Sequence, residues 1–240
     1  HNLNYISVID TTHTGLINGI QTAQPAPIAQ IPLGIGTSNT ALYPRFITVT
    51  PDGTRAYVTL QGDAGIAVID LVALQEIDQV PDDATKPETL GVQHIHLKNA
   101  TGALPFAGAI DAQGHYLYIS DQASGNVYVI DVDPFSPTYN QHVKTITLPA
   151  NIAPLGLRGL AINAGSTRLF VTAPGRTLQG QYASDHGYVV AINIDPANPK
   201  GPFFDTSVPG AITAVGPDPY GITGPDNPIV MLFTGQRDDT

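Results

Sequence analysis

Arg45, Arg158 and Tyr220 stand near the start of three strand-like segments and are the first side chains whose types suggest chemistry. A guanidinium offers a planar fork of donors that matches a carboxylate or a phosphate. The chain has only ten Lys and Arg together. Two arginines at equivalent positions therefore either present a cationic ring to an anionic ligand or pair with acidic turn residues. Segment 173–187 supplies a second group, Arg176, Tyr182, Asp185 and His186, and is about ten residues longer than its counterparts 60–64 and 121–125. Long irregular segments of compact domains often carry function. The other reading is a surface excursion or a contact with a neighbouring domain.

His94 and His96 alternate in Val92-Gln-His-Ile-His-Leu97, which puts both rings on one side of a strand, about 6–7 Å apart. Two imidazoles so placed suit a metal, but a site needs a third ligand. Exposed polar positions on an outer strand are the other reading. Asp10, Asp70, Asp131 and Asn193 close four copies of one strand, at spacings of 60, 61 and 62 residues. An acid or amide repeated there is expected to accept backbone N–H bonds in the turn that follows. No His-Glu-x-x-His, Gly-x-Ser-x-Gly or Asp-x-Asp-x-Asp-Gly pattern occurs, and there is no cysteine. No residue is therefore assigned a catalytic role, and no cofactor or metal is expected beyond the His94/His96 alternative.

The elements that position these residues repeat. The closing strands read Asn4-Tyr-Ile-Ser-Val-Ile-Asp10, Gly65-Ile-Ala-Val-Ile-Asp70, Asn126-Val-Tyr-Val-Ile-Asp131 and Tyr188-Val-Val-Ala-Ile-Asn193. Upstream of the later copies lie segments ending in turns, such as Phe46-Ile-Thr-Val-Thr-Pro-Asp-Gly53 and Ala107-Gly-Ala-Ile-Asp-Ala-Gln-Gly114. Second strands follow the turns: Arg55-Ala-Tyr-Val-Thr59, Tyr116-Leu-Tyr-Ile-Ser120, Arg168-Leu-Phe-Val-Thr172 and Val230-Met-Leu-Phe-Thr234. Their β-branched and aromatic residues suit a pleated, packed surface. Fourth strands are predicted at Ala29-Gln-Ile-Pro-Leu33, Val92–Leu97, His142–Leu148 and Ala211–Val215, with Pro32 restricting the first to a sheet edge.

A fixed period of four antiparallel strands, with no helix between repeats, is the anatomy of a β-propeller blade. The predicted fold is all-β, a propeller of about four four-stranded blades. It forms a single domain over 1–240, either a closed four-blade ring or part of a larger ring. Residues 4–34 give the third and fourth strands of one blade; blades follow at about 43–97, 104–148 and 156–216; residues 219–235 give a first and second strand. Arg45, Arg158 and Tyr220 then head strands that line the central channel. Segment 173–187 lies on the same face.

The Pro-Asp-Gly53 turn, the strand Tyr57-Val-Thr59 and the strand Val68-Ile-Asp70 resemble the YVTN repeat of β-propellers. That family includes surface-layer proteins, lactonase-like enzymes and periplasmic binding proteins, so the resemblance implies an extracytoplasmic setting: periplasmic, secreted or on the cell surface. It specifies blade structure more than activity. A net charge of −10 argues against a nucleic-acid partner, which would call for a basic patch. No apolar run approaches the ~18 residues of a membrane span, and charged residues make up only 12%. The expected function is a non-catalytic binding or structural module. Its partner would be a protein, a glycan, a small ligand or neighbouring blades and domains of the same protein. The alternative is a lactonase-like hydrolase or a cofactor-dependent oxidoreductase propeller.

Overall fold

The computed structural model describes residues 4–12, 14–18, 20–36, 41–86, 89–175, 186–197, 211–223 and 232–235. The first group of strands is β1 (Tyr5–Asp10), β2 (Thr14–Ile17), β3 (Ile20–Ala23) and β4 (Ala26–Pro32). β1 pairs with β4, while β2 and β3 form a separate hairpin between them that the repeat does not announce. The next group is β5 (Pro44–Val49), β6 (Arg55–Leu60), β7 (Gly65–Asp70), β8 (Gln75–Ile77) and β9 (Ile95–His96). Then come β10 (Pro105–Ile110), β11 (Tyr116–Asp121), β12 (Asn126–Asp131) and β13 (Gln141–Thr147). They are followed by β14 (Leu160–Ile162), β15 (Arg168–Ala173), β16 (Gly187–Asn193) and β17 (Ile212–Val215). The last pair is β18 (Pro219–Thr223) and β19 (Leu232–Gly235). Every ladder is antiparallel, and β10-β11-β12-β13 and β14-β15-β16-β17 are complete four-stranded blades whose strands pair in chain order. Among the described residues, no ladder joins β19 to β1.

The fourth strand of the second group departs from the predicted Val92–Leu97. It is split: β8 pairs with the end of β7 (Val68↔Ile77) and β9 with its beginning (Ile66↔Ile95). The chain leaves the sheet between the two halves, so His94 lies just outside the ladder instead of on it.

Successive sheets pack face to face, and the core lies between them. Along β6, Ala56, Val58 and Leu60 face Ile31 and Leu33 of the first group. Tyr57, one residue out of phase, faces Leu117 and Ile119 of the next blade. The next blade repeats the pattern: Leu117 and Ile119 point back, and Tyr118 points forward to Leu157, Leu169 and Val171. Side chains alternate faces along a strand. A sheet buried on both faces thus reads as a continuous apolar run, which is why Tyr-Val-Thr and Val-Ile-Asp lack polar alternation.

The turns between first and second strands also follow the residues. Gly53 adopts φ 71° and its N–H donates to Thr50 O, and Gly114 at φ 75° donates to Asp111 O. In the third copy the left-handed position falls on Ser166 (φ 51°) rather than on Gly165, and the Ser166 hydroxyl accepts the Ala112 N–H of the preceding blade.

Candidate functional site

Three of the inner strands open with a local irregularity. β5, β10 and β18 begin with Pro44, Pro105 and Pro219, and their registers shift between Pro44 and Ile47, Pro105 and Gly108, and Pro219 and Gly221. Proline is tolerated at the first residue of a strand, and a bulge re-aims the side chain within it. The residues after these prolines are Arg45, Phe106 and Tyr220; Arg158 holds the same position just ahead of β14.

A hydroxyl relay confirms the equivalence. The Phe46 N–H donates to Thr59 Oγ1, which donates to the Phe106 carbonyl of the next blade at 3.1 Å. The Ala107 N–H donates to Ser120 Oγ, which donates to the Arg158 carbonyl at 2.5 Å. Thr172 Oγ1 donates to the Tyr220 carbonyl at 3.1 Å. The Thr or Ser one residue before the end of β6, β11 and β15 thus satisfies polar groups at the entrances of the inner strands and joins blade to blade. All three hydroxyl residues are buried.

The four equivalent side chains converge where the inner strands begin. An Arg45 Nη2–H donates to Tyr220 Oη at 2.5 Å, across 175 residues of sequence. The Arg45 guanidinium lies 4.5 Å from the centre of the Phe106 ring, and that of Arg158 lies 5.6 Å from it. Phe106 meets Tyr220 edge to face, with centroids 5.5 Å apart and planes at 84°. Each guanidinium is drawn to the ring quadrupole, while the Arg45 charge disfavours that of Arg158.

The two arginines differ in what they offer a ligand. Arg158 is 3% exposed and donates to the carbonyls of Leu157 (2.9 Å), Leu155 (3.3 Å) and Gln122 (3.4 Å). Burial disfavours its charge and holds its pKa below the usual guanidinium range, against the fields of Tyr220 and Asp218. Arg45 is exposed. Among the described residues neither forms an ion pair with a carboxylate; the acidic-turn pairing open to them in the sequence is replaced by carbonyls, a phenol and an aromatic ring. Phe106, 5% exposed, is the member that sequence reasoning left out. Its signal was the proline before it, shared with Arg45 and Tyr220.

Arg176, Tyr182 and Asp185 lie outside the described residues. His186, at the end of the same segment, is exposed and packs edge to face on Tyr188, with its Nε2 3.0 Å from the Tyr188 hydroxyl. The base of that segment is tied to the channel-mouth connection: the Gly175 N–H donates to Pro217 O and the Gly187 N–H to Gly216 O.

His94 is not an exposed edge residue. It is 4% exposed, with Nδ1 2.5 Å from Asp63 Oδ2 and Nε2 3.1 Å from Glu76 Oε1. With a carboxylate on each ring nitrogen, both nitrogens donate and the ring is imidazolium. Burial opposes that charge, but the bonds to Asp63 and Glu76 outweigh it and raise the pKa to about 9. Glu76 also accepts the Gly34 N–H at 2.6 Å, so the triad pins the end of the first strand group to the second. His96 is exposed. No cluster among the described residues has a metal-ligand set.

His142 is buried and neutral: the Lys98 N–H donates to its Nδ1 at 2.9 Å, so Nε2 carries the proton and donates to Lys144 O at 2.8 Å. The repeated acids take the turn role expected of them. Asp10 accepts the Thr12 N–H, Asp70 those of Val72 and Ala73, Asp131 that of Asp133, and Asn193 that of Asp195.

No family model and no curated protein matches the chain. Solved structures do. A putative 6-phosphogluconolactonase (BF1038) from Bacteroides fragilis is 13% identical with a TM-score of 0.56, over 96% of this chain and 57% of that one. The Cps50 (Swd1) β-propeller domain of Myceliophteria thermophila is 9% identical with a TM-score of 0.55, over 95% and 59%. Kuenenia stuttgartiensis hydrazine synthase is 17% identical with a TM-score of 0.52, over 82% and 42%. The chain thus spans between 42% and 59% of the length of these structures. At such identities the likeness concerns architecture alone, and it agrees with the ladders: the chain has a β-propeller fold built of four-stranded antiparallel blades.

Proposed function

We propose that this propeller is of the YVTN type and serves as a non-catalytic binding module outside the cytoplasm, engaging a carboxylate- or phosphate-bearing partner at the channel mouth. One observation carries the reading: the mouth is built from Arg45, Phe106, Arg158 and Tyr220, with one cation exposed and the other locked onto carbonyls. Among the described residues, no histidine or carboxylate is hydrogen-bonded to any of the four side chains. Ester hydrolysis calls for a general base within hydrogen-bond reach of its proton, whereas anion binding calls for a pre-oriented fork of donors. Arg45 supplies the second. The hydroxyl relay through Thr59, Ser120 and Thr172 supports the YVTN reading, because it gives the Thr of Tyr-Val-Thr a structural task that recurs at three described second strands.

The test uses 6-phosphogluconate, which carries both anionic groups, titrated into the wild type and Arg45→Ala. A charge-assisted hydrogen bond contributes about 1.5–3 kcal/mol, so the substitution is expected to weaken binding by about 10- to 100-fold. Equal binding by both proteins would remove Arg45 from the site. Turnover of the corresponding lactone, lost in Arg45→Ala, would favour the hydrolase reading.

A further inference from the structure

The opposite face of the propeller carries a concavity that the channel-mouth reading does not use. It has a volume of about 360 Å³ and lies where the turn after β5, the turn after β10 and the connection after β12 meet. Ligand sites are commonly concave and of about 300–1,000 Å³. Tyr57 and Val132 form its buried floor, while Pro51, Asp52, His115 and Phe135 belong to its exposed rim.

Phe135 is 94% exposed, yet the segment that carries it is braced. The buried Asp131 carboxylate accepts the hydroxyls of Ser136 and Thr138 and the Asp133 N–H. Asp133 Oδ1 accepts the N–H of Phe135 itself, and the Ser136 and Tyr139 N–H groups donate to Asp133 O and Ser136 O. A mobile tip needs no such bracing, and a core residue would not point into water. A large exposed ring carried on a braced backbone at the rim of a concavity can act as a contact residue.

The charge around it is one-sided. Asp52 keeps its carboxylate at the rim, fixed by the Thr50 and Thr54 hydroxyls and the Thr54 N–H, and Asp133 adds a second acid to the lining. The cation in the lining, Arg55, is already used: it pairs with Asp70 at 3.1 Å and donates to Thr54 O. An exposed aromatic ring and two carboxylates in one lining, whose arginine is already paired, favour a cation with an apolar stem, held by the ring quadrupole and by the acids together.

We propose that this concavity binds an organic ammonium group on an alkyl stem, such as a lysine side chain or a quaternary ammonium, with Phe135 and Asp52 as its main contacts. The argument is independent of the channel mouth. The experiment is a titration of the full chain, followed by proton NMR of the aromatic resonances, with n-butylammonium, tetramethylammonium, butyrate and glucose as separate probes. The ammonium probes are expected to saturate, more weakly as salt is raised, and Phe135→Ala and Asp52→Asn are each expected to weaken binding by about threefold to tenfold. Both positions are exposed, and Asn at 52 keeps an acceptor for the Thr54 N–H, so thermal melts should match the wild type. A stronger response to n-butylammonium than to tetramethylammonium would indicate a lysine-like ligand, and the reverse order a quaternary one. No saturation by either ammonium, saturation unmoved by both variants, or tighter binding of butyrate or glucose would overturn the proposal.

Discussion

Arg45 and Arg158 occupy the same blade position, but their surroundings divide their roles. Arg158 is enclosed and donates to three carbonyls, while Arg45 faces solvent, donates to Tyr220 and lies over the Phe106 ring. Replacing Arg158 by Ala should orphan those carbonyls and open a cavity under Phe106, costing about 2–5 kcal/mol. Arg45→Ala should stay within about 1 kcal/mol of the wild type, as expected for an exposed site. Urea unfolding of the two variants checks the contrast; equal losses would contradict it. His94 makes a second residue-level prediction. Its pKa moves from the ordinary 6.5 up to about 9 on folding, so the folded state holds the proton more tightly. The stabilisation is complete below about pH 6.5 and lost as pH rises through about 9. His94→Gln should leave Glu76 buried without its cation, cost about 3–5 kcal/mol near neutrality, and flatten the loss of stability between pH 6.5 and 9. An unchanged pH profile in the variant would refute the imidazolium assignment. The sequence could not show this triad, because Asp63 and Glu76 lie 31 and 18 residues away from His94. Only the split of the fourth strand into β8 and β9 brings them around the ring.

At the scale of the elements, the repeat was legible because packing dictates it. Sheets buried on both faces demand apolar second and third strands, and the positive-φ turn favours Gly53 and Gly114. The acids that close the third strands were legible for the same reason, since each has a local backbone partner. The β2–β3 hairpin and the split fourth strand were not, because in both the period is broken by a short local excursion of the chain. The relay hydroxyls offer the sharpest test at this scale. Ser120 is fully buried and serves both the Ala107 N–H and the Arg158 carbonyl. Ser120→Ala removes little volume and leaves those groups without that partner, so it should cost about 1–3 kcal/mol. Thr172→Val should cost less, because the Tyr220 carbonyl also accepts the Gly159 N–H at 2.9 Å. Thermal denaturation ranks the two, and the opposite order would show that the relay does not hold the blades.

At the scale of the whole molecule, a repeated fold acquires function where its copies differ. Four equivalent positions could have carried one residue type; they carry Arg, Phe, Arg and Tyr, and the inner strands bring them into a single contact group. The two arginines and the tyrosine were legible from their place at strand starts. Phe106 was not, because an aromatic residue opening an apolar strand looks like core. The proposed recognition at this mouth, without turnover, involves the whole molecule because the four side chains stand at or just ahead of four separate inner strands. Titration calorimetry with 6-phosphogluconate, followed by its lactone, on wild type and Arg45→Ala tests it most directly. Saturating heat from the wild type, weakened about 10- to 100-fold in Arg45→Ala, with no protein-dependent lactone opening, is the predicted result. Binding indifferent to Arg45, or lactone turnover that disappears with it, would contradict the account.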